Sequence, residues 1–120
     1  MSAPSQETAA ALNFIEAARL DDVASGSGIA VTIAGVALAV FNVKGRIYAI
    51  EDTCIRCGSP LATGQLAATV IQCSGCDWRY DVTTGCVTGI PALRIDSFDA
   101  KIVSVRHVMI ATTAKATPRR

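Results

Sequence analysis

With 120 residues, 51% of them hydrophobic and only 5% aromatic, the chain is sized for one domain whose core is built from Val, Ile, Leu and Ala. A formal net charge of +1 argues against the basic face that nucleic acid requires, and few aromatics are available for base stacking. The apolar run from Gly28 to Phe41 contains Thr32 and is too short to span a bilayer, so no membrane partner is expected either.

Taken in order, residues 1–12 are small and polar and read as a flexible arm. They lack the basic region and cleavage site of a secretory signal, which points to the cytoplasm. Phe14 to Val23 reads as an edge strand with a helical turn around Leu20-Asp21-Asp22, and Ser25 to Gly28 as a loop. Ile29–Ile33, Val36–Val43 and Arg46–Ile50 are rich in β-branched and aliphatic residues. With Gly35 and Lys44-Gly45 as turns they form a three-stranded antiparallel meander that leads directly into Cys54. Pro60 and Gly64 shape a loop, Thr69–Gln72 is a short strand running into Cys73, and Trp78–Val82 resumes as a strand that Thr83-Thr84-Gly85 turns back. Leu93–Ile95 and Lys101–Arg106 read as two more strands with Asp99-Ala100 between them, and 112–120 as a flexible tail. Many short strands with regular turns predict an all-β sandwich or barrel over residues 13–111, with loops 52–64 and 72–85 at one tip.

Those loops carry the chemistry. Cys54-Ile55-Arg56-Cys57 is followed by Gly58, and Cys73-Ser74-Gly75-Cys76 repeats the spacing. Two thiolates three residues apart curl around one metal ion, and a second such turn completes a set of four sulfurs. Disulfides at this spacing are strained, and nothing in the sequence suggests secretion. Cys54, Cys57, Cys73 and Cys76 are therefore the expected ligands. Cys86, the fifth cysteine, reads as a packing residue at a strand end. His107, the single histidine, reads as a strand residue outside the site.

The order of features resembles the small Rieske-type ferredoxins, from about Phe14 to Ile110. Its sharpest parts are the stretch from Tyr48 to Cys54, then Gly58-Ser59-Pro60-Leu61-Ala62-Thr63-Gly64, then Cys73 with Asp77-Trp78-Arg79-Tyr80-Asp81-Val82-Thr83-Thr84-Gly85. The resemblance puts Cys54 and Cys73 on the family's two cysteine positions. It puts Arg56 and Cys76 where the family has its ligand histidines, with Cys57 extra. A cluster held by two histidines is excluded by counting.

Three centres stay open: a [2Fe–2S] cluster with four cysteine ligands, which the family likeness favours, a zinc ion in a Zn(Cys)4 site, and a mononuclear Fe(Cys)4 centre as in rubredoxin. The resemblance implies a one-electron carrier or accessory subunit, not catalytic alone, with protein redox partners: a reductase and a terminal oxygenase or similar enzyme. Arg56 is then a candidate docking residue. Trp78 reads as a core aromatic that also stands beside the second loop. The rival is a redox-inert zinc-stapled module that binds another protein.

Overall fold

The computed structural model describes residues 14–103 and 107–114, with the side chains of 112–114 excepted. β1 (Phe14–Arg19) passes through a 3-10 turn at Leu20–Asp22 into β2 (Ser27–Ile33), β3 (Val36–Val43) and β4 (Arg46–Glu51). β5 (Gln65–Ala67), β6 (Val70–Gln72), β7 (Arg79–Asp81), β8 (Cys86–Val87) and β9 (Ile90–Arg94) follow, and β10 (Ser97–Val103) and β11 (His107–Ala114) close the chain. The all-β architecture expected from the sequence is the observed one.

Two antiparallel sheets result. The larger runs β1-β11-β10-β4-β3-β2, and the smaller runs β5-β6-β7-β8-β9. The meander is built on two-residue turns in which Ala34 and Gly35, then Lys44 and Gly45, all take positive φ. That is the turn whose twist matches the flanking strands, and glycine at its second position carries no steric cost.

β3 explains why the sequence shows an unbroken apolar run instead of alternation. Leu38 and Val40 point into one core with Val23, Ile47, Ala49, Phe98, Val108 and Ile110. Ala39 and Phe41 point the other way, into a second core with Ile50, Leu61, Ile71, Tyr80 and Val87. A strand with apolar layers on both sides has no reason to alternate. The second core joins the large sheet to the small one and includes Cys54 and Cys73.

Some expectations need correction. Asp99-Ala100 does not separate two strands; it lies within β10, where the register with β11 shifts between Phe98 and Ala100. A bulge keeps the strand continuous while bending it, which a propensity reading takes for a break. β11 runs to Ala114, so the first residues expected in the tail belong to the sheet. β5 and β8 were not foreseen, because two or three residues cannot display a period. Residues 1–13, 104–106 and 115–120, including the expected arm and most of the tail, lie outside the described residues. Among those described, no helix is long and apolar enough to cross a membrane.

One buried polar side chain fixes the start of the meander. The Asn42 side-chain amide donates to Val23 O at 2.8 Å, and its Oδ1 accepts the Gly45 N–H at 2.7 Å. Asn42→Ala leaves a buried carbonyl and a turn N–H without partners. Destabilisation of roughly 1–3 kcal/mol is expected, read as a lower urea midpoint with an unchanged slope.

Candidate metal centre

β4 ends at Glu51, and the chain turns over into the first loop at Asp52. The buried Asp52 carboxylate accepts the N–H groups of Leu61 and Ala62 at 2.7 and 2.8 Å, pinning the far limb of the loop to its base. Within the turn, Gly58 N–H donates to Cys54 O and Cys54 N–H to Ser59 O, both at 2.9 Å. The second loop, between β6 and β7, is closed the same way: Cys73 N–H donates to Trp78 O at 2.9 Å. Gly75 N–H then reaches Cys73 Sγ at 3.3 Å. Two equivalent knuckles thus face each other.

Their approach brings together all four cysteines that the spacing singled out. Cys54 Sγ lies 3.8 Å from Cys76 Sγ, Cys57 Sγ lies 3.4 Å from Cys73 Sγ, and all four sulfurs fall within 4.8 Å of one another. Cys54 and Cys73 are buried, Cys76 is half-buried and Cys57 is exposed. The group is therefore sealed on its inner side and open at the tip. Cys86 stands apart from this group, half-buried in β8. His107 opens β11 in the large sheet, where its Nδ1 meets Glu16 Oε2 at 2.5 Å.

The four thiols are electrostatically unequal. Hydrogen bonds from the Ser59 hydroxyl and N–H hold Cys57 down to about 6, so it is a thiolate at neutral pH. Burial pushes Cys73 up to about 12 against the pull of the Gly75 N–H. Burial also acts to raise Cys54, but the Tyr80 hydroxyl and the N–H groups of Cys57 and Arg56 outweigh it, and the net direction is down. A cation arriving from the tip meets a ready thiolate at Cys57 and must displace the proton of Cys73.

Two residues that the sequence did not single out for this role complete the site. Tyr80 is fully buried; its hydroxyl accepts the Ile55 N–H at 3.0 Å and donates to Cys54 Sγ at 3.2 Å. Burial, and then the Cys54 sulfur, raise the Tyr80 pKa, which keeps it a donor. An aromatic two residues past Trp78 was the only sequence signal. Gly75 is the contact point between knuckles: a Cβ there would lie 2.0 Å from Ser59 Oγ and 3.1 Å from Cys57 Sγ. The Arg56 guanidinium sits 5.6 Å from the centroid of the Trp78 ring. Trp78 is only half-buried and packs on the edge of the second core, so it is less interior than expected.

A family model described as "Rieske [2Fe-2S] domain" matches residues 13–102. The ferredoxin component of a naphthalene 1,2-dioxygenase system from Pseudomonas putida is 34% identical over 100 residues, covering 82% of this chain and 95% of the relative. The ferredoxin of carbazole 1,9a-dioxygenase from Nocardioides aromaticivorans superposes with a TM-score of 0.77 at 25% identity, covering 83% of this chain and 98% of that one. A chain in a complex of reduced oxygenase and oxidised ferredoxin of carbazole 1,9a-dioxygenase superposes with a TM-score of 0.78 at 26% identity, covering 87% of this chain and 97% of that one.

A Rieske domain implies a [2Fe–2S] cluster, and here four cysteines form a possible metal site. The donor set suits a thiolate-bound metal. It does not suit ligation by two histidines, since Arg56 and Cys76 occupy the loops and His107 faces Glu16. Gly75→Ala tests how closely the knuckles must meet. Its methyl group has to part them, and metal affinity should fall on the order of 10-fold or more, by competition with a chelator, while far-UV circular dichroism stays that of the parent.

Proposed function

The chain belongs to the Rieske [2Fe–2S] domain family, and we propose that it is a ferredoxin-type carrier passing single electrons from a reductase to a terminal oxygenase. The observation that carries this reading is the gathering of four thiols at an exposed tip, on a chain that spans nearly the full length of its ferredoxin relatives. Those relatives are components of dioxygenase systems, carriers and not catalysts, and this chain is assigned the same part. A cytoplasmic setting suits a carrier that moves between protein partners.

In this reading Cys54, Cys57, Cys73 and Cys76 hold an iron–thiolate centre, and the single domain with loops 52–64 and 72–85 is the working unit. Iron bound by thiolates supplies a one-electron change of valence. The chain's own residues do the rest. Tyr80 and Gly75 aim donors at the two buried sulfurs, favouring the thiolate form and offsetting part of the negative charge. The buried residues Cys54, Leu61 and Cys73 shield the inner side from water. Cys57 and the 48%-exposed Ile55 leave the outer edge open to a docked partner, with the exposed Arg56 as the positive charge that steers it.

A one-electron reductive titration tests the assignment: the purified protein should be coloured and accept one electron per chain. A colourless protein that accepts none would sink it in favour of the zinc-stapled module. Ser in place of any of the four ligands should abolish most of the visible absorption, whereas Cys86→Ser should keep it in full. If the reverse holds for Cys86 and Cys57, the ligand set is wrong.

Arg56→Glu probes docking separately. Electron transfer to an oxygenase should slow several-fold at low ionic strength and converge with the parent as salt screens the charge, with metal content unchanged. Equal rates at every salt concentration would reduce Arg56 to a surface residue stacked on Trp78.

A further inference from the structure

The family's cofactor contains two irons, and the spacing of the sulfurs here disagrees with it. We infer that the four cysteines hold one tetrahedral iron ion and not a two-iron cluster. The choice of iron over zinc rests on the carrier reading above; the choice of one ion over two rests on geometry.

A metal–sulfur bond of about 2.3 Å places the four thiolates of a tetrahedron about 3.8 Å apart along every edge. In a cluster of two irons bridged by sulfides, the thiolates split into two pairs on opposite sides. The metal–metal separation and the outward cant of each pair then put thiolates on different irons on the order of 5–6 Å apart or more. The observed sulfurs show no such split. Two of the separations are 3.4 and 3.8 Å, and no pair exceeds 4.8 Å. Those two contacts run between loops, Cys54 to Cys76 and Cys57 to Cys73, so sulfurs of both loops share one group.

The loops leave no slack for the larger centre. At Gly75 the absence of a side chain is what lets the second knuckle lie on Ser59; a Cβ there would come within 2.0 Å of Ser59 Oγ and 3.1 Å of Cys57 Sγ. Alongside, Thr63 Oγ1 and Ser74 Oγ meet at 3.2 Å, and the Ser74 hydroxyl reaches Pro60 O at 3.4 Å. Admitting a second iron with two sulfides means spreading the sulfurs by roughly 1–2 Å across this seam, which separates those contacts. Nor does widening come freely from below. The first loop is fastened by Asp52 to Leu61 and Ala62, and the second by Cys73 N–H to Trp78 O. Four thiolates from two matched knuckles with one ion between them satisfy every one of these bonds.

The test uses the full-length protein as purified from iron-replete cells, without reconstitution. Iron, zinc and acid-labile sulfide are measured per chain, and EPR spectra are taken of the air-oxidised sample. One iron, no labile sulfide and the signal of an isolated high-spin ferric ion are expected. Two irons with two sulfides, and an oxidised form that is EPR-silent because its ferric ions are coupled, would overturn the inference and leave the carrier reading intact. One zinc ion in a sample that takes up no electron would overturn both, since zinc has no redox chemistry.

Discussion

The hydrogen bond from the Tyr80 hydroxyl to Cys54 Sγ ties the parts of this protein together. Cys54 follows the last strand of the meander, and Tyr80 sits in the middle of the small sheet, so the bond spans the joint between the two sheets. It lies inside the second core, beside Phe41, Leu61 and Ile71, where an unmet hydroxyl or sulfur has no water to turn to. The same oxygen takes the Ile55 N–H, and thereby fixes the first turn of the knuckle. One phenol therefore fixes the Cys54 sulfur, favours its thiolate form, and helps dock one sheet on the other.

From that joint the site follows by accumulation of short backbone bonds, with little contribution from regular structure. β5 to β8 are two or three residues each and present one apolar face to the core. They act as a shelf for the second knuckle. Strands this short are marginal alone, and a metal bound between the two loops would add the free energy of its binding to the stability of the tip. The carrier assignment and the stability of the tip are thus two aspects of one set of bonds.

On the family likeness Arg56 and Cys76 stand where Rieske proteins carry ligand histidines, and that difference would change more than a ligand count. Histidine ligands are neutral, and in Rieske centres they raise the potential well above that of all-cysteine clusters. Four thiolates gather negative charge, and the protein answers with the few donors it has, Tyr80 and the Gly75 N–H, while Arg56 supplies a positive charge at the rim. The guanidinium lies over the Trp78 ring, 5.6 Å from its centroid, and that contact keeps it near the tip.

Much of this was readable from residues alone. The doubled cysteine spacing, the β-branched runs and the glycine turns are local signals, and local signals survive in a sequence because neighbours along the chain create them. They marked out the four cysteines that come together, the meander and the all-β class. What they did not convey is how near the two knuckles stand. That distance depends on the missing side chain of Gly75 against Ser59, on Tyr80 reaching Cys54 from another sheet, and on Asp52 folding the first loop back on itself. The bulge in β10 and the extra length of β11 were hidden for the same reason, since pairing partners far along the chain decide them. Sequence determined which four sulfurs meet. Only tertiary packing, acting across 16 and 22 residues of chain at the Cys57–Cys73 and Cys54–Cys76 contacts, decided how closely they meet, because the partners that set those distances lie far apart along the chain.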